Sequence, residues 1–132
     1  MDRGVAGEAE GGLIDLLRQV VVEMPCEAGC ARLLEVGCGV GEHLEALAAL
    51  GTVVGVDTSA EAVERARAAH PGFDVQVADA CSLPFENEFD VVFSEGAFSW
   101  TPDQVGVLTS VARALKEGGA LVAQMGAEGD VA

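Results

Sequence analysis

The chain is 132 residues long, the size of one compact domain. Half of it is hydrophobic and 22% is charged, enough apolar material for a buried core and too much for a compositionally disordered chain. Seven Lys and Arg against 22 Asp and Glu leave a net charge of −15, a field that repels phosphate backbones and argues against a nucleic-acid partner.

In chain order, Met1–Gly12 is rich in Gly and Glu and is expected to fray. It lacks the apolar stretch of a signal peptide, and no later run approaches the ~18 residues of a membrane span. A cytoplasmic location without membrane contact is therefore expected. From Leu13 to Glu23 the apolar residues Leu13, Ile14, Leu17, Val20 and Val21 recur at helical spacing, and Pro25 closes the segment ahead of a connector to Ala31. Arg32–Val36 reads as a buried strand and Gly37–Gly41 as a glycine-rich turn. Glu42–Leu50 reads as a helix with Gly51 as its C-terminal cap.

Thr52–Val56 is the second strand, ending in Asp57, and Thr58 or Ser59 caps a helix over Ala60–Ala69 that His70-Pro71-Gly72 stops. Phe73–Ala78 alternates like a strand, Ser82–Glu88 reads as loop, and Phe89–Ser94 is apolar enough for a fully buried strand. Asp103–Lys116 is the last long helix, between Pro102 and Gly118-Gly119, and Ala120–Met125 is a fifth strand. Strands alternating with helices predict an α/β fold: an open, mostly parallel, five-stranded sheet with helices on both faces, three layers in all.

In such sheets ligands bind beyond the carboxyl ends of the strands, beside the switch in strand order. Four consecutive strand exits carry glycine or polar residues: Glu35/Gly37, Asp57, Asp79 and Ser94/Glu95. In Glu35-Val36-Gly37-Cys38-Gly39-Val40-Gly41 the glycines permit positive φ and let a ligand lie against backbone, while the following helix offers free N–H groups. A dinucleotide turn, G-x-G-x-x-G, would need glycine at position 42, which is Glu42.

The G-x-G-x-G spacing after an acid resembles motif I of the class I S-adenosylmethionine (SAM)-dependent methyltransferases. So do Val-Gly-Val-Asp57, Ala78-Asp79-Ala80, Leu83-Pro84-Phe85 before Phe89-Asp90-Val91-Val92, and Leu115-Lys116-Glu117-Gly118-Gly119-Ala120-Leu121, where Glu117 replaces the usual proline. The resemblance runs from about Leu33 to Met125 and implies an open Rossmann-like, doubly wound sheet with SAM as cofactor. Gly96–Asp103 with Ala123-Gln124-Met125 resembles the trans-aconitate methyltransferase branch, which implies a small-molecule acceptor, a carboxylate in that branch's manner.

The resemblance places Glu35 near the methionine end of SAM, with Gly37, Cys38, Gly39 and Gly41 as the backbone beside it. It places Asp57 and Thr58 at the ribose, Asp79 at the adenine amino group, Ala80 and Cys81 along the ring, and Ser94 near the sulfonium. Glu95, Phe98 and Trp100 would line the acceptor pocket. Each has a plainer alternative: Glu35 and Asp57 as capping or solvated acids, Asp79 as a turn acid, Trp100 as packing. His43, alone on a first helical turn, reads as solvent-facing, and His70 has no assigned role. Cys26, Cys30, Cys38 and Cys81 have neither disulfide-framework nor zinc-ligand spacing, so no metal is expected.

The resembled family continues past the fifth strand with a hairpin. A chain ending there is a fragment, has its edge covered by a second copy or a partner, or tolerates an open edge. A non-catalytic SAM-binding module acting through that edge is the competing functional reading.

Overall fold

The computed structural model describes residues 12–24 and 29–124, leaving aside the side chains of Ser99 and Trp100. The expectations for residues 1–11, Cys26 and Met125 fall outside this set. Among the described residues, helix α1 (Gly12–Val22) precedes strand β1 (Ala31–Val36), α2 (Leu44–Ala48), β2 (Gly51–Asp57) and α3 (Ala60–Ala69). Strands β3 (Asp74–Val77) and β4 (Phe89–Glu95), helix α4 (Gln104–Ala114) and β5 (Leu115–Gln124) follow. The five strands form one sheet in the order β3-β2-β1-β4-β5, every neighbouring pair parallel. The strand order reverses between β1 and β4, so their exits frame the crevice at the switch point.

Alternation along the strands divides the core into two layers. Leu33, Val53, Val91 and Phe93 face α1, α2 and α3, where Leu17, Leu44, Leu47, Val63 and Ala66 meet them. Leu34, Val36, Val54, Val56 and Val92 face α4, packing with Phe89, Phe98, Val107 and Val111. The same parity assigns Glu35 to the side of Leu33 and Phe93, beneath the turn that leads into α2. Burial of both faces explains why the strands read as continuous apolar runs rather than as an alternating pattern.

Local chemistry sets the element boundaries. Ser59 caps α3 by accepting from Ala62 N at 3.1 Å, so of the two candidates it is the cap. Asp103 caps α4 through Gly106 N at 2.9 Å. At the other end of α4 the Arg113 and Ala114 carbonyls accept from Asn87 N and Glu88 N at 2.8 and 2.9 Å, tying the loop before β4 to the helix.

Three expected boundaries are corrected. Helix α2 starts at Leu44 rather than Glu42, because the glycine turn runs on through His43, and it spans only five residues. Gly51 is not a helix cap but the first residue of β2. It lies opposite Ala31, where an added Cβ would sit 2.1 Å from the Ala31 carbonyl oxygen. Helix α4 ends at Ala114, and Lys116–Gly119 form an irregularity inside β5: the register passes from Phe89↔Leu115 to Val91↔Ala120, with Gly118 at φ +84°.

Candidate functional site

The glycine turn leaves β1 and crosses the end of β2. Gly37 N and Cys38 N both donate to the Val56 carbonyl, at 2.8 and 3.0 Å, and Gly41 N donates to Cys38 O at 3.0 Å. Gly39 N donates to Asp57 Oδ2 at 2.9 Å. The backbone donors of all three glycines and of Cys38 are thus satisfied within the protein. At these four positions this corrects the expectation of N–H groups left free for a ligand.

The three glycines have positive φ, +80° at Gly37, +58° at Gly39 and +94° at Gly41, but for different reasons. A Cβ at Gly37 would lie 2.4 Å from Ala97 Cβ, and one at Gly41 would lie 2.7 Å from His70 Cδ2. Those two are demanded by close packing. At Gly39 a Cβ would meet nothing within 4 Å, so this glycine borders open space. Cys38 contributes backbone only: its thiol is buried against Gly55, and burial pushes its pKa to about 12.

Asp57 stands at the exit of β2. Besides accepting from Gly39 N, it accepts from Ser59 N at 2.9 Å, so one carboxylate orders both the glycine turn and the entry to α3. Thr58 beside it is exposed. Asp79, also exposed, accepts from Cys81 N at 2.8 Å and caps a 3-10 turn over Ala80–Ser82. Ala80 and Cys81 are half-buried against the α4-side core.

The exits of β1 and β4 are joined through a residue that sequence reasoning set aside. Glu35 is 2% exposed, and its Oε2 lies 3.1 Å from His43 Nδ1. His43 Nε2 lies 3.0 Å from Glu95 Oε1 at the end of β4, and the imidazole packs nearly perpendicular to the Phe93 ring. His43 is therefore not a solvent-facing histidine. The signal available for it was parity: Glu35 sits on the face that α2 covers, and a buried carboxylate requires a partner from that helix's entry.

Glu35 Oε1 is buried with no hydrogen-bond partner. Desolvation pushes the Glu35 carboxyl above the usual carboxylate range, against the pull of the His43 hydrogen bond. The hydrogen bond to Glu35 holds the His43 imidazole above its ordinary value, against partial burial.

Two residues expected to face ligand are spent in the framework. Ser94 is buried and its hydroxyl donates to the Val36 carbonyl at 3.0 Å, locking β4 to β1. Phe98 is fully buried in the α4-side core, which corrects its expected place as a pocket wall. The side chain of Trp100 lies outside the described set. Glu95 remains at the crevice, its side chain 43% exposed. Among the described residues no group of three or more His, Cys, Asp or Glu could hold a metal ion, and no helix is long and apolar enough to cross a membrane.

A family model described as a methyltransferase domain matches residues 34–123. The trans-aconitate 2-methyltransferase of Methylobacterium nodulans is 35% identical over 114 residues, covering 84% of this chain and 42% of the relative. That of Rhodopseudomonas palustris is 33% identical with nearly the same coverage. The chain thus spans about two-fifths of the length of the curated relatives it matches.

Among solved structures, SAM-bound CalS10, an amino pentose methyltransferase from Micromonospora echinaspora, superimposes with a TM-score of 0.78 at 25% identity, over 92% of this chain and 52% of its own. A chain from the complex of the Haloferax volcanii Trm112 methyltransferase activator with its partner gives 0.66 at 34% identity, over 80% of this chain and 48% of its own. The five-stranded order, the glycine turn and the matched span agree: the chain belongs to the methyltransferase domain family, with the class I SAM-dependent fold its motifs resemble.

Proposed function

We propose that this chain binds SAM across the exits of β1, β2 and β4 and transfers its methyl group to a small-molecule acceptor, a carboxylate in the manner of its trans-aconitate relatives. The observation that carries this reading is the polarity of the crevice. Carboxylates border it, while the amides of Gly37, Cys38, Gly39 and Gly41 are satisfied internally. Such a site suits a ligand with cationic groups and a ribose, and offers little to the pyrophosphate of a dinucleotide. The residues present fit SAM: Gly39 leaves room that a Cβ would fill, and Glu35 holds a buried oxygen without a partner.

SAM, when bound, supplies an electrophilic methyl on a sulfonium that leaves as a neutral thioether. The chain's part is then to hold and align rather than to take a proton. Asp57 accepts the ribose hydroxyls, Gly39 gives the backbone face and Asp79 receives the adenine amino group. Glu35 and Glu95 set the negative potential at the methionine end. A carboxylate acceptor already carries its lone pair, so no general base is required. The apolar layers behind the strand exits exclude water from the reacting centre. The outer edge of β5 pairs with no strand among the described residues. A second copy or partner pairing there belongs to this reading, with the protein acting in the cytoplasm.

Calorimetry with SAM, its demethylated product and NAD tests the proposal. SAM and its product are expected to bind and NAD is not; NAD binding in place of SAM overturns the reading. Asp57→Ala is expected to weaken SAM binding more than about tenfold, since charge-assisted hydrogen bonds contribute about 1.5–3 kcal/mol each. An unchanged titration would move the ribose away from Asp57. Incubation of SAM with trans-aconitate and other small carboxylates, read as methyl ester by mass spectrometry, separates an enzyme from a SAM-binding module.

A further inference from the structure

The crevice contains a titratable group held between two carboxylates. His43 lies between Glu35 Oε2 at 3.1 Å and Glu95 Oε1 at 3.0 Å, so each ring nitrogen faces a carboxylate oxygen. Both nitrogens donate at once only in the imidazolium, so a charged His43 satisfies both carboxylates together. The remaining groups around it are acidic: Glu42 on the same turn adds to the field at His43, and Asp57 at the exit of β2 adds to that at Glu35. The apolar neighbour is the Phe93 ring, nearly perpendicular to the imidazole. With His43 charged, one of its two bridging carboxylates remains uncompensated; with His43 neutral, both do.

Resting on the reading of this crevice as the SAM site, we propose that His43 is a positioning residue whose proton is exchanged for the ligand's cationic groups. As the ammonium and sulfonium of the ligand enter the field of Glu35 and Glu95, the imidazolium releases its proton to solvent, and the neutral ring keeps one hydrogen bond to Glu35. Two consequences follow from linkage. Cation binding lowers the proton affinity of His43, and rising pH through the titration of His43 tightens the ligand. A histidine that instead paired with the ligand's carboxylate would take up a proton on binding, and rising pH would loosen the ligand.

The test is calorimetry of SAM on the full chain between about pH 6 and 7.5, below the range of about 7.7–8.0 in which a free α-amino group titrates. It is run in two buffers of different ionisation enthalpy. Expected are net proton release on binding and a Kd that falls with pH, by at most about tenfold per unit for one linked proton. His43→Gln is expected to bind SAM with neither effect. Equal heats in the two buffers, proton uptake, or an unchanged pH slope in His43→Gln overturns the proposal while leaving SAM binding intact. Absence of SAM binding at every pH overturns the cofactor reading and this proposal with it. If His43→Gln does not fold, the titration of the His43 ring followed by NMR in the wild-type chain decides. SAM is expected to lower its midpoint, and a midpoint unmoved or raised overturns the proposal.

Discussion

Gly37 and Gly39 look alike in the sequence and answer to different demands. Alanine at either must adopt positive φ, which costs about 1–2 kcal/mol in the left-handed region. At Gly37 the added methyl also collides with Ala97, so Gly37→Ala is expected to lose about 2–4 kcal/mol in denaturant unfolding. Gly39→Ala meets no protein atom and is expected to lose only about 1–2 kcal/mol, while weakening SAM several-fold by filling the cradle. The reverse order of stability losses would contradict this division of roles. The Glu35–His43 pair makes a second prediction. Both groups have folded-state proton affinities raised above their ordinary values. The stability each contributes is complete below its unfolded value, 6.5 for the histidine, and is lost as pH rises through the folded one. Chemical unfolding from pH 6 to 9 is expected to show falling stability, with a shallower fall in His43→Gln.

At the scale of elements, the cap of α3 was legible down to a choice of two residues, since only Ser, Thr, Asp and Asn carry a short acceptor at that position. The structure selects Ser59 because Asp57 accepts from the Ser59 amide and turns the chain so that Ser59 Oγ faces Ala62 N. Ser59→Ala is expected to cost about 1 kcal/mol, read as a lower midpoint in thermal unfolding. Loss of a comparable amount in Thr58→Ala, whose side chain is exposed, would contradict the assignment. The start of β5 was not legible. Leu115-Lys116 continues the helical composition up to the stop at Gly118-Gly119, and only pairing of Leu115 with Phe89 draws it into the sheet. Strand membership is decided by a partner's register, which local propensity does not contain.

Over the whole molecule, the charge of −15 is carried on a 132-residue chain whose described ion pairs lie almost entirely at its surface. Surface pairs of this kind contribute about 0–1 kcal/mol each, so net self-repulsion dominates the electrostatics. Raising NaCl from about 0.01 to 0.5 M shortens the screening length from about 30 Å to under 8 Å. The midpoint of thermal unfolding is expected to rise by several degrees, and a fall would show that specific pairs outweigh the repulsion. If the proposed carboxylate acceptor is right, the same field slows its approach at low salt, and methyl transfer is expected to quicken as salt screens it.

The alternation of apolar runs with amphipathic stretches determined the α/β class, because parallel strands buried on both faces have few other compositions open to them. Glycines and acids at successive strand exits then pointed to the proposed ligand edge, since topology gathers every parallel strand's carboxyl end on one side. Tertiary structure alone decided which of those residues face the crevice. Phe98 and Ser94 are drawn into the framework, and His43, unremarkable along the chain, becomes the bridge between β1 and β4. The reason is distance: Glu35, His43 and Glu95 come from three separate elements, and only the sheet order that sets β1 beside β4 brings their charges within hydrogen-bonding reach.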